Sequence, residues 1–272
     1  MYQQVLSVVF AGVVGLAGLA ASAVAKQPVD LELALAVDVS SSIDEDEARM
    51  QRDGYVAAFR HPDVIHAIES GMLRRIAVTY YEWAGDGHLR VVSDWTVIED
   101  ADSANRFADR LAAAPLQIAP RTSISAAIEH ALAQFRRNAF EGTRQVIDIS
   151  GDGPNNGVRE VTLARDRAVS EGIIINGLPI VNGRADAEGN LPLPDLDEYY
   201  RDCVIGGPGA FTVVAHSFDE FGVAIRRKLI SEIAGLTAPP AGPAADSPRI
   251  VPAALSRICD FGRLTWQQIW IN

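Results

Sequence analysis

The sequence predicts an α/β protein with an open, mostly parallel, doubly wound sheet, one antiparallel edge strand and helices on both faces. Apolar runs of strand length alternate along the chain with amphipathic segments of helix length, a pattern typical of parallel sheets covered by helices. Two consecutive β-rich runs, 76–83 and 89–95, are joined by the turn-forming segment AGDGH. This spacing predicts a hairpin, and with it the antiparallel edge.

The elements follow one another in a simple order. The run LELALAVDV at 31–39 has the almost continuous apolar character of a buried parallel strand. Segment 43–60 is predicted to be a helix, because four acidic residues stand near its start, where the helix dipole favours negative charge. After the hairpin we expect helices at 102–113 and 123–137, a strand at 145–150, a helix at 159–171, strands at 173–180 and 210–215, and a closing helix at 218–233.

These elements require one domain, which we place at residues 29–235. The chain has 272 residues, enough for one sizeable core. Residues 236–249 are rich in Pro and Ala and are expected to form an extended linker. Residues 250–272 form a C-terminal tail with two tryptophans, and the polar stretch 182–197 is expected to be a surface loop.

Residues 1–25 resemble a signal peptide. An apolar run at 5–20 is followed by Ala23-Val24-Ala25, and small residues at these spacings precede signal-peptidase cuts. The alternative is an N-terminal membrane anchor, since 5–25 approaches the roughly 20 residues that a span needs. We therefore expect an exported protein, periplasmic or secreted, with no membrane span after cleavage.

The net charge bears on the class of partner, and the two cysteines bear on a possible disulfide. Lys and Arg number 24 against 35 Asp and Glu, a net charge of −11, which disfavours nucleic acid as a partner. The two cysteines, Cys203 and Cys259, are able to pair in an oxidising compartment. Two free thiols fit the sequence equally well, so the pairing stays open at this point.

Oxygen-bearing side chains follow three of the predicted elements. Asp38, Ser40 and Ser42 form a D-x-S-x-S motif after the first strand, Thr122 precedes a helix, and Asp152 follows a central strand. Ligands of open α/β sheets bind outside the carboxyl ends of the strands, where these residues would converge. Magnesium prefers six such oxygens and keeps some waters. The pattern therefore predicts a divalent-cation site, with a simple N-cap by Ser41 or Ser42 as the alternative.

The same residues resemble a known family. Asp38, Ser40 and Ser42 match the metal-ion-dependent adhesion site (MIDAS) of von Willebrand factor A-like (vWA) domains, and Thr122 and Asp152 stand where that family has its threonine loop and its strand-end aspartate. The segments NGLPI, YYRDCVIGGPGAF and RRKLISEIAG are similar to a bacterial exported branch, the domain of unknown function 1194. The resemblance implies Mg²⁺ (or Mn²⁺ or Ca²⁺) at these five residues, ligating an acidic group of an unidentified protein partner.

Two positions depart from the family pattern. The threonine loop reads Pro120-Arg121-Thr122 instead of carrying a glycine pair, and Gly151 stands where Thr or Ser is more usual. Arg121 would either repel the metal or pair with an incoming carboxylate. Asp148, two residues before Ser150, is either a neighbour of the site or a polar residue facing a helix.

A binding module without enzymatic activity is therefore the leading hypothesis. The first alternative is a metal-dependent hydrolase, for which His88 or His216 would have to act as general base near the ion. The second alternative is a structural or assembly protein of the envelope, in which the metal site is vestigial and the C-terminal tail makes the contacts.

Overall fold

The structure is a computed structural model that describes residues 25–183, 192–193, 195–235 and 259. The predicted linker lies outside these residues, as do the predicted signal peptide except Ala25 and the predicted tail except Cys259. Residues 184–191 and 194 of the expected surface loop also lie outside them. Within the described part of the chain, no helix combines the length and the apolar character needed to cross a bilayer.

A five-stranded sheet forms the centre of the domain, in the order β4-β3-β2-β6-β7. Its strands are β2 (Leu31–Asp38), β3 (Ile76–Trp83), β4 (Leu89–Ile98), β6 (Gln145–Gly151) and β7 (Ile174–Pro179). All neighbours are parallel except the edge pair β3 and β4, which is antiparallel. Two short strands, β1 (Gln27–Val29) and β5 (Phe140–Gly142), pair separately. The predicted fold class is thus confirmed.

Helices cover both faces of this sheet. They are α1 (Glu45–Arg60), α2 (Pro62–Glu69), α3 (Ala101–Ala113), α4 (Ile124–Arg137), α5 (Val161–Ser170), α6 (Leu196–Tyr199), a π-helix (Tyr200–Val204) and α7 (Phe218–Ala234). Helices α1, α2, α3 and α7 pack on one face. The second face carries α4, α5, α6 and the π-helix.

The side chains of β2 alternate between these two layers. Leu33 and Leu35 pack under α1 and α7, while Ala34 and Ala36 belong to the α4 layer. Successive side chains of a strand point to opposite faces, so Asp38 continues the α4 side. The alternation therefore decides which face of the sheet receives the first residue of the D-x-S-x-S motif.

Two parts of the sequence prediction were wrong. Segment 210–215 is not a sixth strand but makes two isolated bridges, from Thr212 to Gly177 on β7 and from Ala215 to Ile180 just after it. Pro179 explains the interruption, because it has no N–H to donate where the ladder would continue. Helix α2 was missed, although Pro62 at its first turn is a recognised start signal.

A buried ionic cluster fixes α7 to the sheet. Lys228 Nζ lies 2.5 Å from Asp148 Oδ1 and 2.7 Å from Glu232 Oε1, and Asn176 donates to Glu232 Oε1 at 2.9 Å. Asp148 on β6 therefore faces a helix. Two carboxyl groups share one ammonium group here, and burial, followed by the negative charge of Asp148, raises the pKa of Glu232 to about 7.

This cluster predicts a specific pH dependence of stability. A Glu232 pKa raised from 4.5 to about 7 means that the folded protein binds more protons than the unfolded chain between these pH values. The free energy of unfolding should therefore fall as pH rises from about 4.5 to about 7, and then level off. Glu232→Gln should flatten this slope in denaturant titrations across the range, whereas the exposed Glu220→Gln on the same helix should not. An unchanged slope in Glu232→Gln would contradict the assignment.

Candidate metal centre

The strand order brings the predicted ligand residues to one edge of the sheet. β2 and β6 are parallel neighbours, and Val37 pairs with Ser150, so Asp38 and Asp152 leave the sheet side by side. The loop that carries Thr122 is tied to the same place, because Ala119 N donates to the carbonyl of Val39 at 3.0 Å. The convergence expected from the motif is therefore present.

A chain of hydrogen bonds joins four of the five residues. Asp38 Oδ1 accepts from the backbone N of Ser40 at 2.7 Å. The Ser40 and Ser42 hydroxyls lie 2.9 Å apart, and the Ser42 hydroxyl donates to Asp152 Oδ1 at 2.6 Å. The hydroxyls and the Asp152 carboxylate thus already face one another.

Thr122 is held beside Asp152 by the loop that follows β6. Its backbone N donates to Asn156 Oδ1 and its carbonyl accepts from Asn156 N, both at 2.7 Å. A Cβ atom placed on Gly153 would lie 3.8 Å from Thr122 Oγ1, so the hydroxyl borders the Asp152-Gly153 turn. The two asparagine bonds fix the position of the threonine without using its side chain.

The serines are not helix caps. The N-cap of α1 is Asp44, whose side chain accepts from Glu47 N at 2.8 Å, while Glu47 Oε2 accepts from Asp44 N at 3.0 Å. This reciprocal capping box satisfies the first turn of the helix. The alternative role considered for Ser41 and Ser42 is therefore filled by another residue.

The electrostatics of the edge favour a cation. Asp38 is fully buried, and its Oδ2 has no hydrogen-bond partner within the described residues. Burial, followed by the negative charge of Asp152, raises the pKa of Asp38 well above its usual range. A bound positive charge would favour the ionised form of both carboxylates. A divalent ion with oxygen preference fits the two carboxylates and three hydroxyls present.

Nitrogen and sulfur ligands are not part of this arrangement. Over the residues that the structure describes, no three His, Cys, Asp or Glu side chains group as a metal site, so a cation here depends on the serine and threonine hydroxyls. His216 is exposed and His88 half-buried. No hydrogen bond or ion pair described for the chain joins either histidine to the five residues, and the hydrolase hypothesis gains no geometric support.

Tyr200 is the residue that sequence reasoning missed. A Cβ atom on Gly151 would lie 2.7 Å from Asp38 Oδ2 and 2.9 Å from the Tyr200 hydroxyl oxygen. The Thr or Ser that is more usual in the family therefore has no room at position 151. The only sequence signal was the segment YYRDC, which carries no ligand motif by itself.

Cys203, three residues after Tyr200, forms a disulfide with Cys259. The bond spans 56 residues and attaches the tail to the π-helix. The pairing that the sequence left open is thus present in the structure.

Comparison of the sequence with known protein families identifies the family of this chain. The sequence matches the family described as "Protein of unknown function (DUF1194)" over residues 28–237. The chain belongs to this family. No curated protein matches the sequence.

Several solved structures of low sequence identity are similar in fold to this DUF1194 protein. The pilus adhesin SpaC from Lactobacillus rhamnosus GG aligns with TM-score 0.56 and 13% identity, covering 78% of this chain and 32% of SpaC. Proximal thread matrix protein 1 from the mussel byssus, with a zinc-occupied MIDAS motif, aligns with TM-score 0.51 and 16% identity, covering 76% of this chain and 46% of its own. A von Willebrand factor type A protein from Catenulispora acidiphila aligns with TM-score 0.50 and 11% identity, covering 75% of this chain and 43% of the Catenulispora chain.

These likenesses establish a vWA-like fold. The DUF1194 chain spans less than half the length of each of these proteins. Their ligands and partners are therefore not transferred with the fold.

The charge at this edge predicts opposite effects of one substitution with and without metal. Asp38→Asn keeps the acceptor for Ser40 N but removes a buried acidic group whose charged form is disfavoured by burial and by the charge of Asp152, so the free energy of unfolding in chelator should rise. Mg²⁺ at 100 times its Kd should stabilise the native protein by about 2.7 kcal/mol and leave Asp38→Asn unchanged. Thermal and denaturant unfolding measure both effects, with exposed Asp46→Asn as control. A less stable Asp38→Asn in chelator would contradict this account.

Proposed function

We propose that this DUF1194 protein is an exported binding module without enzymatic activity, which uses a divalent cation to bind an acidic group of a protein partner. The observation that supports it is the convergence of the Asp38 and Asp152 carboxylates with the hydroxyls of Ser40 and Ser42, beside the loop that carries Thr122. In this proposal Ser40, Ser42 and Thr122 supply neutral oxygens to the ion.

The donor set favours Mg²⁺, with Mn²⁺ and Ca²⁺ as alternatives. Two carboxylates balance the charge of a divalent ion, and three hydroxyls leave a position of the six-oxygen shell for a further ligand. Neutral oxygens donate little charge, so the ion stays electrophilic. A carboxylate from outside the protein is a strong ligand for such an ion.

Arg121 supports the choice of a carboxylate ligand. Its side chain is exposed and has no hydrogen-bond or ion-pair partner within the described ranges. Its backbone φ of 69° lies in the left-handed region, which is strained for an arginine and recurs at functional sites. In this proposal the guanidinium group of Arg121, the residue before Thr122, holds the second oxygen of a carboxylate whose first oxygen binds the ion.

Two observations support the proposed location outside the cytoplasm. Residues 1–25 have the pattern of a cleaved signal peptide. The disulfide between Cys203 and Cys259 is of a kind that persists in oxidising compartments such as the periplasm. The vWA-like structures of a pilus adhesin and of a byssus matrix protein agree with a role in adhesion or assembly.

Calorimetric titration of the purified full-length protein with Mg²⁺ and Mn²⁺ tests the cation site. We expect one saturable site in the native protein, none in Asp152→Ala, and unchanged binding in Asp46→Ala, which removes an exposed carboxylate of α1 that pairs with Arg49. Absence of binding at millimolar ion in the native protein would refute the proposal.

The acidic ligand is tested on an array of peptides that each carry a single Asp or Glu. Binding should require Mg²⁺ and disappear with chelator. Arg121→Ala should weaken it about 2- to 5-fold, an effect that fades at high salt because exposed ion pairs contribute at most about 1 kcal/mol. Arg49→Ala, an exposed arginine paired on α1, is the matched control. Binding that survives chelation would favour an envelope structural role instead.

A further inference from the structure

Two buried oxygen atoms face the same small space behind the cation site. Asp38 Oδ2 and the Tyr200 hydroxyl are both buried, and neither has a hydrogen-bond partner within the described part of the chain. They flank the point where a side chain on Gly151 would begin, at 2.7 Å and 2.9 Å from it. A buried polar atom without a hydrogen-bond partner lowers the free energy of unfolding by about 1–3 kcal/mol. The occurrence of two such atoms side by side therefore suggests a functional role.

Two glycines on neighbouring strands make room for the Tyr200 side chain. Gly177 on β7 lies beside Ile149, two residues before Gly151 on β6, so both glycines share one face of the sheet. A Cβ atom on Gly177 would lie 2.8 Å from Tyr200 Cδ1. The ring thus crosses β7 at one glycine and its hydroxyl reaches β6 at the other. Glycine weakens a strand interior and often marks a close approach of this kind.

The segment that carries Tyr200 is anchored at several points. The Tyr199 hydroxyl accepts from Asn155 N at 3.1 Å, and Arg165 on α5 donates to the carbonyls of Asp202 and Cys203 at 2.9 and 3.2 Å. Cys203 is also bound covalently to Cys259. Short π-helices recur at functional sites, and this one holds its first residue against the cation site.

We propose that Tyr200 is a positioning residue of the cation site, whose hydroxyl donates through one bridging water to Asp38 Oδ2. The hydroxyl keeps the buried carboxylate oriented toward Ser40 and the ion, and it supplies the oxygen that a side chain at position 151 has no room to provide. This inference rests on the proposed cation site and adds a residue from the π-helix to it.

The test compares the Mg²⁺ affinity of the purified full-length protein with that of two variants. Tyr200→Phe removes only the hydroxyl, and loss of such a supporting group typically weakens metal binding 10- to 100-fold. Tyr81→Phe is the matched control, because Tyr81 is equally buried on the same face, and its hydroxyl donates to the carbonyl of Ala127 at 2.8 Å. Its Mg²⁺ Kd should stay within about 2-fold of that of the native protein.

A further variant, Gly177→Ala, displaces the Tyr200 ring without removing its hydroxyl oxygen. Gly177→Ala adds a methyl group against Tyr200 and should also raise the Mg²⁺ Kd, but it should have no further effect on the Kd in the Tyr200→Phe background, because both changes act on one hydroxyl. Unfolding in chelator is measured for every variant and separates affinity from stability.

The possible results are distinguishable. A weakened Kd in Tyr200→Phe with unaltered unfolding in chelator supports the assignment. If the native protein and Tyr200→Phe bind Mg²⁺ equally, Tyr200 has only a packing role, and this inference fails while the cation site stands. If the native protein binds no Mg²⁺, the proposed function and this inference fail together.

Discussion

Parallel pairing of β2 with β6 is the constraint on which the rest of the site depends. It brings Asp38 and Asp152 out of the same sheet edge side by side, one of them fully buried. Neighbouring buried carboxylates are unfavourable unless protonated or compensated by positive charge. The neighbouring loops supply the hydroxyls of Ser40, Ser42 and Thr122, and a hard cation is the positive charge that suits such oxygen donors.

The two faces of the sheet treat buried acidic groups differently. On the α7 side, Asp148 has an internal cation, since Lys228 lies 2.5 Å away. On the α4 side, the groups that lower the pKa of Asp38 are hydrogen bonds from Ser40 and from the backbone of Asp152, and no ion pair described for the chain includes Asp38. The same protein therefore neutralises one buried aspartate with its own lysine, and under the proposed function it leaves the other to an ion from solution.

The elements that were predicted correctly are specified by local sequence patterns. Apolar runs, turn residues and helix signals specify β2, the hairpin and most helices, and parallel strands bring the D-x-S-x-S motif, Thr122 and Asp152 to one edge. The prediction of a strand at 210–215 was wrong because Pro179, on the partner strand β7, interrupts the hydrogen-bond ladder. Pairing of Lys228 with Asp148 was not predictable, since residues 80 positions apart meet only through the packing of α7 on β6.

Tyr200 shows the same limit at the site itself. It follows a polar insertion and belongs to no ligand motif. Its ring reaches Asp38 only because Gly177 on β7 and Gly151 on β6, two positions further along the ladder, share one face of the sheet. Gly151 departs from the family pattern. The reason for a glycine there is the position of the Tyr200 side chain, 49 residues later in the chain.

The most direct test of the cation site is a crystal structure of the protein grown with Mn²⁺, with anomalous data collected for the metal. This account predicts one strong anomalous peak within coordination distance of the Ser40, Ser42 and Thr122 hydroxyls, with Asp38 and Asp152 bound directly or through water. A map without a peak at this edge, in which the Ser42 hydroxyl donates directly to Asp152, would contradict it.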